Sequence, residues 1–122
     1  MAGTVTTTEE IIGSVKKITF TWTSSAGGAA DATSTGYYTA EIMRVVQIPD
    51  SGGTQPTNLY DVTVNDDDSA DVLLGLGANL VNNANTDKVT KDGLGVVANA
   101  QLTLGVTNAG AAKGGKTILY LR

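Results

Sequence analysis

The sequence predicts an all-β protein: a single antiparallel β-sandwich, jelly-roll-like fold or small barrel with Gly-, Asn- and Asp-rich turns. Eighteen threonines and fifteen glycines in 122 residues set that expectation. Threonine suits a half-buried pleated surface, and glycine supplies the turns that join short strands. Apolar residues also alternate with polar ones at a period of two in several stretches, as half-buried strands require. Strong helix formers are sparse and scattered.

The first 14 residues are Thr-rich and place Glu9-Glu10 ahead of Ile11-Ile12-Gly13. They read as an N-terminal arm or short edge strand, with residues 15–122 as one β domain. Residues 15–23, VKKITFTWT, set Ile18, Phe20 and Trp22 on one face and Lys17, Thr19, Thr21 and Thr23 on the other. Trp22 therefore belongs to the core. Residues 24–36 are small and polar and read as a loop. Residues 37–48, YYTAEIMRVVQI, form the longest candidate strand. Tyr38, Ala40, Ile42, Val46 and Ile48 share one face there, while Met43 and Val45 take the other. A strand apolar on both faces is either central in a sandwich or covered by a partner. Tyr37 and Tyr38 point to opposite sides, so one enters the core and the other is free to anchor an interface. Tyr37, Tyr38, Met43 and Val45, with Glu9, Ile11 and Ile12 from the N-terminal segment, are the interface candidates.

Residues 58–65 alternate with Tyr60, Val62 and Val64 inward. A turn at Asp66-Asp67-Asp68-Ser69 leads to residues 70–76, which read as the second strand of a hairpin. Residues 77–91 hold Asn79, Asn82, Asn83 and Asn85 and read as irregular, with one helical turn at most. Leu102, Leu104 and Val106 alternate within residues 94–107. A Gly-rich turn then leads to residues 116–121, KTILYL, as the partner of that strand.

The chemistry is bounded by absences. With no histidine and no cysteine, Ser-His-Asp and Cys-His sets are excluded, as are the usual zinc and haem ligands. No enzymatic activity and no cofactor are expected. Asp66, Asp68 and Asp71 are the only clustered oxygen ligands for Ca²⁺. The EF-hand spacing is not met, however, because no Gly stands at the sixth loop position and no Glu closes the twelfth. Aspartates also favour turns by bonding their own backbone, so a solvated turn is the simpler reading. Gly75-Leu76-Gly77 and Gly93-Leu94-Gly95 lack the third glycine and following helix of a phosphate loop.

The net charge of −4 comes with dispersed lysines and arginines, and no basic stripe suited to nucleic acid is present. No apolar run approaches a membrane span, and no charged n-region with an apolar stretch opens the chain, so use without export is expected. Apolar residues make up 41% but aromatics only 5%. A core built on Val, Ile, Leu and Ala is thin, and a thin core gains from a partner that binds only the folded state.

Three stretches, VKKITFTWTSSAGGAAD, EIMRVVQIPDSGGTQPTNLYDVTV and LTLGVTNAGAAKGGKTILYLR, resemble the small β-rich structural proteins of tailed-bacteriophage virions, most of all the capsid decoration or cement proteins. The resemblance covers roughly residues 15–121 in texture and segment order, and transfers no functional residue. It implies a protein assembled in the host cytoplasm into the virion, at the capsid surface, with the major capsid protein and copies of itself as partners. A tail or head–tail connector subunit is the nearest rival. A carbohydrate- or Ca²⁺-binding β module is a third reading from a different class.

Overall fold

A computed structural model describes residues 3–122. It opens on a hairpin: β1 (Thr4–Ile12) and β2 (Val15–Thr23) pair antiparallel from Thr4 opposite Thr23 to Ile12 opposite Val15. Only Gly13 and Ser14 separate them. Gly13 has φ +61°, the left-handed backbone that the first turn position of a type II′ hairpin needs and that glycine adopts without a Cβ clash. Of the two readings of the N-terminal segment, the edge strand is the one that forms, and it is nine residues long.

Seven further strands follow: β3 (Ala30–Thr33), β4 (Tyr38–Pro49), β5 (Asp61–Asn65), β6 (Thr86–Val89), β7 (Val96–Ala100), β8 (Thr103–Thr107) and β9 (Gly114–Leu121). They make two antiparallel sheets. The larger runs β1-β2-β9-β4-β6, with β7 also paired to β4, and the smaller runs β3-β8-β5. At twelve residues β4 is long enough to serve β7 near its start and β6 near its end.

The core lies between the sheets. Ile18, Phe20 and Trp22 of β2, Ile42 and Val45 of β4, and Leu119 and Leu121 of β9 face Ala30, Val62, Val64, Leu104 and Val106 of the smaller sheet. Trp22 and Tyr60 pack with ring centroids 5.7 Å apart and planes tilted by 48°, a favourable offset for two quadrupoles.

The mixed parity of β4 has a local cause. Ile42 pairs with Leu121 and Arg44 with Tyr120, so Met43 is an extra residue, a β-bulge. A bulge re-aims the side chains that follow it, so Ile42 and Val45, three apart, both point into the core at 0% and 1% exposure. Val45 is thus a core residue and not an interface candidate, because the bulge turns it inward. Tyr38 is likewise buried at 4% exposure, which leaves Tyr37 as the exposed member of the pair.

Other segments differ from expectation. The loop at residues 24–36 contains β3, where Ala30 and Ala32 alternate with Asp31 and Thr33, a pattern too short and too small in its side chains to mark a strand although Ala30 is buried. Residues 70–76 make a single bridge, Asn65 to Asp71, and then a run of turns. Asp71 captures the amides that a second hairpin strand would have used. Residues 77–91 end in β6, recruited by β4. Residues 94–107 break into β7 and β8 near Asn99, which has φ +46°. Finally, β9 does not pair with β8 but crosses to the larger sheet, between β2 and β4. It can do so because its two neighbours both present apolar inner faces, a long-range choice that no local pattern announces.

Candidate interaction surface

The outer face of the larger sheet follows from the inner one. Because Ile18, Phe20 and Trp22 face the core, the alternate residues Lys17, Thr19, Thr21 and Thr23 face out. The register sets Thr4 opposite Thr23, Thr6 opposite Thr21 and Thr8 opposite Thr19. Three outward threonine pairs therefore run along the β1–β2 hairpin.

Across the sheet the same face continues in rows. Thr8, Thr19, Ile118, Val46 and Asp87 form one; Glu10, Lys17, Tyr120, Arg44 and Val89 form the next. Val46 is only 8% exposed and Ile118 is half-buried, so the middle of the face is a small apolar strip. The second row is held by charge. Glu10 stands opposite Lys17, and Lys17 Nζ and the Arg44 guanidinium lie 6.0 and 5.4 Å from the Tyr120 ring centre. Arg44 donates twice to Asp87, at 2.9 and 2.7 Å. That hydrogen bonding raises the Arg44 pKa and holds the Asp87 carboxyl below its usual range. Both partners are about half exposed, so the pair shapes the surface more than it stabilises the fold.

One edge of this sheet is β1, and β6 lies at the other. The residues of β1 are exposed throughout except half-buried Val5, and Ile11 and Ile12 are 67% and 62% exposed. Glu9 accepts a 2.7 Å hydrogen bond from the Tyr38 hydroxyl, and Lys16 Nζ lies 5.2 Å from the centre of the Tyr38 ring. Burial first, and then Glu9, pushes the Tyr38 phenol up to about 12. Glu9 is therefore tied back to the body of the protein, while Ile11, Ile12 and Glu10 are not. Met43, at the bulge, is half-buried, and Tyr37 is 60% exposed just before β4. These residues are spread over the edge, the β4 bulge and the residue before β4, and do not converge on one spot.

The aspartates of the acidic turn do not converge either. Asp66 Oδ1 accepts from the amides of Asp68 and Ala70, and Asp71 accepts from those of Val64, Leu73 and Gly75. Among the described residues no three acidic side chains gather in a metal-binding group. A polar groove of about 270 Å³ lies between residues 49–55 and 82–85, lined by Asp50, Gln55, Asn82 and Asn85 among others. It has no aromatic side chain on which a sugar ring could stack. Among the described residues no helix is long and apolar enough to cross a membrane.

The outward threonine pairs and the Val46–Ile118 strip were hidden in the sequence. TVTTTEEII has threonine on both faces, so its parity is unreadable until its register with β2 is known. No family model, curated protein or solved structure matches the chain.

Proposed function

We propose that this chain is a non-catalytic structural component of a bacteriophage virion, a capsid decoration or cement protein that binds the shell of the major capsid protein and stabilises it. The observation that carries the reading is the outer face of the bigger sheet, where threonine pairs, the Val46–Ile118 strip and paired charges lie in register beside the β1 edge strand. Deep clefts suit small ligands. A broad sheet face with hydroxyl rows, an apolar strip and paired charges suits contact with another protein. The phage-like texture of residues 15–121 supports the same reading and names the setting.

The mechanism is distributed contact. Each copy contributes a modest interface, and many copies around a symmetric shell act together, so no single strong site is needed. The acidic balance of the chain suits the outside of a genome-filled shell, because acidic protein is repelled by nucleic acid.

Shells prepared without this chain are expected to assemble, and then to rupture at lower temperature and at higher salt thresholds than decorated shells. Light scattering or dye access to the packaged genome reads the difference. Adding the purified chain back restores the threshold. Undecorated shells as robust as decorated ones would remove the cement role.

A further inference from the structure

The geometry points to a second copy of this chain as the partner of the β1 edge, paired antiparallel with Thr8 on the two-fold axis. This pairing does not rest on the virion reading, since it concerns the chain alone.

The edge is open for it from Val5 to Ile11, beyond the Gly3 N–H that the Ala29 carbonyl takes. A two-residue turn closes on a hydrogen-bonded pair, here Ile12 and Val15, and antiparallel ladders alternate from there. The N–H and C=O groups of Thr4, Thr6, Thr8 and Glu10 therefore face β2. Those of Val5, Thr7, Glu9 and Ile11 face away from it. Gly3, of the same parity, bears this out: its N–H reaches the Ala29 carbonyl at 3.2 Å, outside the β1–β2 ladder. Protected edges carry proline, charged side chains, a bulge or a covering loop; of these β1 has Glu10 and the core-side Glu9, whose carboxylate the Tyr38 hydroxyl holds back. β1 has no proline and no lysine, and its register with β2 is unbroken.

The sequence of the edge is complementary to itself. A two-fold axis normal to the sheet pairs inward side chains with inward ones, so it must pass through a residue. Centring it on Glu9 sets two carboxylates against each other, and centring it on Thr7 sets Val5 against Glu9. Centring it on Thr8 pairs all nine residues. Val5 then meets Ile11 of the second copy, Thr7 meets Glu9, Thr6 meets Glu10 and Thr4 meets Ile12. Each glutamate faces a threonine, and exposed Ile11 gains an apolar neighbour on the core side of the sheet. The outward amides of Val5, Thr7, Glu9 and Ile11 are all satisfied by their counterparts, and the two larger sheets become continuous.

Sedimentation equilibrium of the full chain tests this. The chain is expected to be a dimer at micromolar concentrations. Thr7→Pro removes an outward N–H while sparing the β1–β2 bonds, a position where an edge strand tolerates proline, so it is expected to be a monomer with unchanged β-type circular dichroism. The two-fold pair at Thr8 is non-hydrogen-bonded, with Cα atoms about 4.5 Å apart, within the range a disulfide spans. The chain has no cysteine, so Thr8→Cys is expected to form a linked dimer under mild oxidation, whereas Thr6→Cys, displaced from the axis, stays largely unlinked. A parent chain that is monomeric at submillimolar concentration would overturn the pairing. So would Thr6→Cys linking as readily as Thr8→Cys, and that comparison decides the matter even where Thr7→Pro fails to fold.

Discussion

Asp71→Ala is expected to lower the unfolding free energy by about 2–5 kcal/mol, because it orphans backbone donors at about 1–3 kcal/mol each. Asp71 Oδ1 accepts from the amides of Val64 and Leu73, at 3.1 and 3.0 Å, and Oδ2 from that of Gly75 at 3.0 Å. Val64 and Leu73 are both 0% exposed, and their bonds to Asp71 are part-buried, so water replaces the lost acceptor only in part. Asp71→Asn keeps one carbonyl oxygen and is expected to cost about 1 kcal/mol, the price of one ordinary hydrogen bond. Urea unfolding followed by circular dichroism measures both. Equal losses for the two variants would show that the carboxylate is not the organiser of this turn. The same side chain bears on the ion-binding reading. With both oxygens held by amides, added Ca²⁺ is expected to leave the melting temperature unchanged, and a rise of several degrees would restore that reading.

The largest packing effect is expected at Trp22. Trp22→Ala should lower stability by about 3–5 kcal/mol, the range for emptying a large aromatic site, in a domain whose total is about 5–15 kcal/mol. The indole is 1% exposed, packs on Tyr60 and covers Gly115. A Cβ on Gly115 would lie 2.6 Å from Trp22 Cζ2 and 2.9 Å from the Ile48 carbonyl. Gly115→Ala is therefore also expected to destabilise, by about 1–3 kcal/mol as overpacking does. Because the two changes share one space, the double variant is expected to lose less than the sum, the signature of coupled neighbours in a mutant cycle. Trp22 Nε1 is buried with no hydrogen-bond partner among the described residues, so Trp22→Phe gives up no hydrogen bond there and is expected to be far milder than Trp22→Ala. Strictly additive losses would show that Gly115 is not glycine on account of the indole.

How much of this was legible depends on the range over which each signal acts. The β2 strand is plain in VKKITFTWT, because Ile18, Phe20 and Trp22 alternate with Lys17, Thr19, Thr21 and Thr23. β5 is equally plain, with Tyr60, Val62 and Val64 in alternation. The Gly13 turn is not announced as a hairpin, because the parity of the Thr-rich run before it is unreadable until it pairs with β2. β3 and β6 were not visible, since Ala30–Thr33 and Thr86–Val89 are strands by virtue of their neighbours β8 and β4, and not by their own pattern. The bulge at Met43 was misread for a related reason. An inserted residue shifts parity in mid-strand, and in sequence that shift looks like two apolar faces. Val45 accordingly reads as outward in the sequence, whereas it lies inside. The hairpin expected at residues 70–76 failed because one aspartate side chain competes with the backbone ladder. Of the candidate surface, Glu9, Ile11, Ile12 and Tyr37 were legible as exposed polar or apolar oddities. The outward rows on β1, β2 and β9 were not, because they exist only once strands far apart in the chain are placed side by side.

A part of a virus shell is present in many copies per particle, so counting the copies of this chain checks the proposed shell role. Quantitative mass spectrometry of purified virions, scaled to the major capsid protein, is expected to find hundreds of copies in a fixed ratio to the shell subunit. Six or twelve copies would contradict a shell role and assign the chain to a connector or tail end. Finding none would contradict a virion role altogether.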